Sequence, residues 1–287
     1  MITSMLEHTF CHLPGISLRS ERSLWAAGIT HWDDAEGDHD GFVDERIRPA
    51  LHEHLAHSRR AMSSGDMRYF AESLPQTELW RLYGPFREKA VYLDIETTGM
   101  GRGTDHITTI VVYDGLDLRQ FIHGRNLEQF PEYLRTVELL VTFNGRSFDL
   151  PFIQRQFGES FAPVHLDLRY ILKSVGIQGG LKKCEHQLGL DRGTLEGVDG
   201  YMAVLLWREY RHSKNARALE TLLAYNSLDV LNLEPLMITA HNRKLRGLPF
   251  GDELSLDMPR WQPSSPFEPD AELVGRLRTQ DSFEPPW

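Results

Sequence analysis

The sequence predicts an α/β domain preceded by a small helical arm, on three observations. Short apolar runs rich in β-branched and aromatic residues recur between positions 90 and 143, separated by Gly and Asn turns. A long leucine-rich helical pattern runs from about Ala216 to His241, and residues 19–27 form an isolated helical pattern stopped by Gly28.

The first apolar run, residues 90–93, reads as a buried strand that continues into Asp94-Ile95-Glu96-Thr97-Thr98-Gly99. Side chains alternate along a strand, so Asp94 and Glu96 share one face while Ile95 turns to the core. Two like charges at the end of a buried strand repel each other and resist desolvation, and a divalent cation removes that penalty. The competing reading is a strand that runs out into solvent. Gly99, Gly101 and Gly103 follow and allow close approach of a ligand to the backbone, or simply form a hairpin. They are not a dinucleotide fingerprint, because the next segment, residues 107–113, reads as a strand and not a helix. Residues 117–123 read as a third strand paired through Asp114-Gly115, and residues 127–137 as a helix.

A further strand at residues 139–143 leads into Asn144-Gly145-Arg146-Ser147-Phe148-Asp149, where Asn144-Gly145 supplies the turn. Pro151 suits the first turn of a helix continuing to about Gln156, so Asp149 reads as a helix cap, a site carboxylate, or both. In the long helical pattern, Tyr225-Asn226-Ser227-Leu228-Asp229 places Tyr225 and Asp229 one turn apart on one face. Lys182 and Lys183 open a helix after Gly179-Gly180; such a terminus can bind phosphate, and lysines there are also often just solvated. Arg146, inside the second acidic signature, is the other candidate phosphate contact.

In the N-terminal arm, Leu13-Pro14-Gly15-Ile16 precedes the helix of residues 19–27, and Ile29-Thr30-His31-Trp32 leads into another short element. This looks like half of a helix-hairpin-helix in which Ser17 replaces the second glycine; the alternative is a packing unit built on Leu24, Trp25 and Trp32. The acidic residues 33–40 read as a loop, and residues 42–83 as helices docked on the α/β domain. His52, His54 and His57 lie beside Arg59 and Arg60, which disfavours a cation site, so they read as solvated. The stretch from Gly247 has seven prolines and surplus acid, which predicts an irregular tail; its ending, Phe283-Glu284-Pro285-Pro286-Trp287, reads as a free tail or as a partner-binding peptide.

With 31 Lys and Arg against 41 Asp and Glu, the net charge of −10 excludes a general polyanion binder. The excess acid is uneven: residues 88–246 carry 19 basic against 20 acidic residues, so the arm and the tail hold most of it. Binding of a nucleic acid would therefore rely on a local groove and on metal ions, with salt-sensitive affinity. Two cysteines, Cys11 and Cys184, give neither a disulfide framework nor a zinc pattern. No signal peptide or membrane-length apolar run is present, which makes the cytoplasm the expected location.

The three acidic signatures, in this order, resemble the DEDD 3′-to-5′ exonucleases of the ribonuclease H-like (DnaQ-like) superfamily, over roughly residues 88–243. Tyr225 ahead of Asp229 resembles the DEDDy subgroup. The stretches Thr9-Phe10-Cys11-His12-Leu13-Pro14-Gly15-Ile16, Phe143-Asn144-Gly145, His165-Leu166-Asp167-Leu168 and Gly180-Leu181-Lys182 look like the bacterial YprB-type proteins. The resemblance implies a ribonuclease H-like fold, a mixed five-stranded sheet flanked by helices. It divides the chain into a helical region 1–87, an exonuclease domain 88–246 and an acidic tail 247–287.

It further implies phosphodiester hydrolysis by two ions of Mg²⁺ or Mn²⁺, releasing nucleoside 5′-monophosphates from 3′ ends of single-stranded DNA or RNA. Asp94, Glu96 and Asp229 would hold the metal that activates water, and Asp94 with Asp149 the second. Tyr225 would orient the water, while Thr97, Asn144, Arg146 and Lys182 would contact the substrate. Asp167 matches a recurrent acidic position, read here as a cap or supporting partner. The alternatives are a nucleic-acid-binding or scaffold protein that keeps the fold without turnover, and an endonuclease using the same metals.

Overall fold

The computed structural model describes residues 4–35, 48–100, 103–259 and 264–281. Gly101, the acidic run beyond Ala35 and the Phe283–Trp287 peptide lie outside the described residues. The chain divides into two compact units, Met1–Arg87 with Ile238–Asp257, and Glu88–Met237 with Met258–Trp287.

The first unit is helical: α1 Leu18–Ala26, α2 Trp32–Ala35, α3 Arg48–Ser64, α4 Met67–Ser73 and α5 Tyr83–Phe86. Ser17 caps α1, its hydroxyl accepting the Ser20 N–H at 3.1 Å, and Gly28 ends the segment in the left-handed region at φ 87°. Trp25 and Trp32 are buried and Leu24 is half-buried; each indole N–H donates to a backbone carbonyl, of His8 and of Thr9 respectively. The ring of Phe250 stacks on His8 at 3.9 Å. Of the three histidines of α3, His57 stacks on Tyr69, and all three keep solvent-exposed surface.

The second unit holds a five-stranded sheet in the order β3-β2-β1-β4-β5, with β1 Ala90–Thr97, β2 Ile107–Tyr113, β3 Leu118–Ile122, β4 Leu139–Thr142 and β5 Val164–Asp167. β1–β2 and β2–β3 are antiparallel, β1–β4 and β4–β5 parallel. Its helices are α6 Phe130–Leu134, α7 Asp149–Phe157, α8 Leu168–Ser174, α9 Leu181–Gln187, α10 Gly200–Ser213, α11 Ala216–Leu245 and α12 Ala271–Asp281. α11 contributes its first part to this unit and its end to the other.

One face of the sheet carries the apolar core: Val91, Leu93 and Ile95 of β1 join Ile110, Val112, Leu140, Phe130, Phe152 and Ile153. The intervening residues of β1 face the other way. Beyond Glu96 the β1–β2 register shifts, Glu96 pairing with Thr109 and Thr97 with Ile107. This irregularity bends the strand just where its acidic pair ends.

Four segments differ from the sequence expectation. Residues 33–35, expected as the start of an acidic loop, belong to α2, where Asp34 accepts the Thr30 and His31 N–H groups at 2.9 and 2.8 Å. Residues 127–137 are not one helix: a 3-10 turn, Leu127–Gln129, precedes the short α6, because Pro131 fits only the first turn of an α-helix. Phe148, not Asp149, is the N-cap of α7, and Asp149 is its first residue. The C-terminal stretch is not irregular throughout, since α12 forms where Leu273, Val274 and Leu277 recur at helical spacing and are buried. Asp270 starts it by accepting the Leu273 N–H at 2.9 Å. Among the described residues, no helix is long and apolar enough to cross a membrane.

Candidate active site

Strand alternation puts Asp94 and Glu96 on the face of β1 opposite the apolar core, and α11 brings Asp229 to the same place. One carboxylate oxygen from each of the three lies within 4.8 Å of the others. These residues floor a cleft of about 1150 Å³, whose walls include Asp149, Tyr225, Thr97, Asn144, Arg169, Tyr170, Lys173, Tyr201 and Arg208. Every residue of the cleft belongs to the second unit.

Asp149 stands apart from the group of three, yet its charge acts on Asp94. Its Oδ1 is buried with no hydrogen-bond partner. Burial pushes its carboxyl up to about 7, against hydrogen bonds from its own backbone and that of Ile95. Asp94 is raised well above the usual carboxylate range by burial and then by Asp149, Glu96 and Asp229; Glu96 is raised in the same way by burial and Asp229. Asp229 is raised by burial, with Arg192, Lys182 and a hydrogen bond from Tyr225 opposing. Burial followed by the surrounding carboxylates pushes the Tyr225 phenol up, so it stays a neutral donor at neutral pH.

Four carboxylates facing one cleft, one with an oxygen that nothing satisfies, form a hard, oxygen-only donor set. That set fits a hard divalent cation.

The turn after β4 is built for its position. Asn144 adopts φ 65°, and its N–H donates to Asp167 Oδ1 at 2.8 Å. A Cβ on Gly145 would lie 2.1 Å from Thr142 Oγ1, the same hydroxyl that accepts the Gly145 N–H, so only glycine fits there. Asp167 also accepts from the Arg146 N–H at 3.1 Å and from the Arg169 N–H at 3.1 Å, at the N-cap of α8. It anchors backbone and does not line the cleft. Gly99 lines the cleft, and a Cβ there would lie 2.6 Å from the Asp105 carboxylate, so glycine lets Asp105 close in on the backbone.

The expected substrate contacts divide. Thr97 and Asn144 line the cleft, Thr97 donating to the Gly99 carbonyl at 2.5 Å and Asn144 accepting from Arg169 Nη1 at 2.6 Å. Arg146 is exposed and lies outside the cleft lining, and its backbone N–H donates to Asp167 Oδ2. Lys182 does sit in the first turn of α9, but its Nζ donates to the Val198 carbonyl and lies 5.0 Å over the Tyr225 ring.

Sequence reasoning missed two supporting groups. Asn226 Nδ2 donates to Asp94 Oδ2 at 2.7 Å while its Oδ1 accepts from Thr109 Oγ1 at 3.0 Å, locking Asp94 between α11 and β2. Arg192 donates to Asp229 Oδ1 at 2.5 Å and to both oxygens of Glu185 at 2.8 and 2.6 Å. Asn226 lies inside a quoted signature, next to Tyr225, and that adjacency was its only signal. Glu185 and Arg192 carried none, because burial was what gave them meaning.

A sequence profile described as the RNase_H superfamily matches residues 91–241, just over half of the chain. The chain belongs to this superfamily. It is 28% identical over 175 residues to the uncharacterised protein YprB of Bacillus subtilis (strain 168), over 51% of this chain and 40% of YprB; the match thus spans less than half of that relative's length. Similar solved structures include a family B DNA polymerase from Pyrobaculum calidifontis, at 16% identity and TM-score 0.41, covering 58% of this chain and 27% of the polymerase. Another is Brucella melitensis NrnC with bound Mg²⁺, at 19% identity and TM-score 0.38, covering 68% of this chain and 86% of NrnC.

Proposed function

For this member of the RNase_H superfamily we propose metal-dependent 3′-to-5′ exonuclease activity of the DEDDy type on single-stranded DNA or RNA, carried by residues 88–246. The observation that carries the reading is the convergence of Asp94, Glu96 and Asp229 within 4.8 Å at the floor of the cleft, with Tyr225 one helical turn from Asp229 and Asp149 on the wall. Asp94, Glu96 and Asp229 would hold one Mg²⁺ or Mn²⁺ ion, and Asp94 with Asp149 a second. When bound, the ions supply an acidified water and neutralise charge on the phosphate.

The chain's own groups do the rest. The Tyr225 hydroxyl, kept protonated by its acidic surroundings, orients the attacking water by a hydrogen bond; it is too weak an acid to act as the base. Asn226 fixes Asp94. Thr97 and Asn144 face the terminal nucleotide. Arg169, Lys173 and Arg208 give the cleft positive charge for the phosphates, and the part-exposed rings of Tyr170 and Tyr201 offer faces for unpaired bases. This local charge is what an overall acidic chain needs to hold a polyanion. The buried, free thiols of Cys11 and Cys184 suit a reducing compartment, and we place the activity in the cytoplasm.

The test is digestion of 5′-labelled single-stranded DNA and RNA of equal sequence with Mg²⁺, Mn²⁺ or EDTA, comparing wild type with Asp94→Asn. The expected result is a metal-dependent ladder shortening from the 3′ end and absent in the variant. A 3′ block that fails to protect the substrate would assign an endonuclease instead. Metal-dependent binding with no cleavage of either strand would assign a scaffold.

A further inference from the structure

Arg192 lies in the turn after α9, and its guanidinium spans two carboxylates on two elements. Nη1 binds both oxygens of Glu185, at 2.8 and 2.6 Å, and Nη2 binds Asp229 Oδ1 at 2.5 Å. Glu185 is itself held by Asn232 Nδ2 at 2.7 Å, so the group is tied from α9 and α11 together. The guanidinium also lies 5.4 Å over the ring of Tyr225. Tyr225, Asp229 and Asn232 occupy successive turns of one face of α11, and Arg192 touches the first two directly and the third through Glu185.

Arg192 is only 3% exposed and Glu185 not at all, and neither lines the cleft. The arginine therefore cannot reach a phosphate in the cleft. A buried ion pair placed for stability alone would end at Glu185, and an apolar pair of similar volume would serve as well. The planar fork, with one arm on each carboxylate, is what a lysine could not reproduce.

We propose that Arg192 is a positioning residue for the acidic site: anchored by Glu185 and Asn232, it fixes the carboxylate of Asp229 and the ring of Tyr225, so that Asp229 turns one defined oxygen toward the cleft. The inference rests on the nuclease reading above. Holding Oδ1 keeps Asp229 from swinging freely, so that the position a bound cation would take relative to the Tyr225 hydroxyl is set by the Arg192 fork.

The test compares wild type with Arg192→Lys and with the double variant Arg192→Met, Glu185→Gln, which removes the arginine together with its anchor, so that Glu185 is not left as a buried unpaired charge while Asp229 loses its guanidinium partner. Three quantities are read: kcat, KM for a labelled single strand, and the electron paramagnetic resonance spectrum of Mn²⁺ titrated into protein without nucleic acid. For the double variant we expect kcat to fall about 10- to 100-fold with KM within about twofold, since the groups that hold a metal ligand in place act on turnover more than on strand binding. It still binds Mn²⁺, with a zero-field splitting different from wild type. Arg192→Lys falls between the two in kcat and in spectrum. A double variant with kcat within about twofold of wild type overturns the proposal. So does a loss of kcat with a wild-type spectrum, because Arg192 would then act otherwise than through Asp229. Should the double variant not fold by circular dichroism, Arg192→Lys decides alone, and wild-type kcat and spectrum overturn the proposal. Wild-type protein that neither binds Mn²⁺ nor cleaves overturns the nuclease reading and this inference together; wild-type protein that does both while the variants match it overturns only the role of Arg192.

Discussion

Two buried guanidinium groups, Arg81 in the first unit and Arg192 in the second, are each gripped by carboxylates, and they differ in what is left over. Around Arg81, Glu21 takes both Nη groups at 2.8 Å, Glu78 takes Nε at 2.9 Å, and the spare capacity of Glu21 Oε1 is filled by the N–H groups of Phe10 and Cys11 at 2.7 and 3.0 Å. None of these residues lines the acidic cleft. Around Arg192, Nε has no partner; Arg192 and Lys182 act on Glu96 and Asp229, Glu185 takes the other arm of Arg192, and Asp149, whose Oδ1 has no partner, adds its charge to Asp94 and Glu96. The first network is closed and does structural work. The second carries a surplus of acid that folding alone would have removed, and such a surplus marks a place where something else must bind.

The largest break of this contrast comes from the acids. Asp229→Asn should cost at least about 10³-fold in turnover while leaving the fold intact, because it removes a ligand that the chain holds at a cost in stability. Cleavage assays beside thermal melts check it; turnover near wild type would remove Asp229 from the site. Glu21→Gln should do the reverse, destabilising the protein by about 3–5 kcal/mol by leaving Arg81 buried and short of a partner, with cleavage per folded molecule unchanged. Urea unfolding measures the first and an assay well below the melting temperature the second.

Tyr225→Phe is a finer probe. It keeps the ring beneath Arg192 and Lys182 but loses the hydroxyl, and should lower kcat about 100-fold with little change in KM. Leu277→Ala should cost about 2 kcal/mol, since the side chain is buried in α12 and leaves a cavity; a change near zero would show that α12 contributes nothing to the second unit.

The smallest effect is one of pH. Asp149 is raised to about 7, above the value near 4 of an unfolded aspartate. A raised carboxyl favours the folded state while protonated, so its contribution is complete below about pH 4 and is lost as pH rises through about 7. The melting temperature of metal-free protein should therefore fall by a few degrees between pH 5 and pH 8, and Asp149→Asn should flatten that slope. Added Mn²⁺ should raise the melting temperature more at pH 8 than at pH 6, because it binds ionised carboxylates.

Much of the site was legible in the chain. Strand alternation alone places Asp94 and Glu96 together, and helical spacing places Tyr225 beside Asp229. The Asn144-Gly145 turn announced itself by its dipeptide. Other parts were hidden for physical reasons. The prolines between Pro259 and Pro269 dominated the composition of the C-terminal stretch and masked the short apolar spacing of α12. Lys182 had the right place at a helix start, but what its ammonium does depends on where the Val198 carbonyl and the Tyr225 ring lie, and neither is near in sequence.

By itself the sequence determined the first four strands, the turns and the same-face pairing of Asp94 with Glu96 and of Tyr225 with Asp229, because these follow from periodicities of two and 3.6 residues that act over a few positions. Only the tertiary structure decided that Asp94, Glu96 and Asp229 meet within 4.8 Å, that Asp149 keeps an unsatisfied oxygen, and that Arg192, in the turn after α9, reaches across to hold Asp229. Desolvation and charge pairing depend on distances between segments far apart in the chain, and those distances exist only once the sheet and α11 have packed.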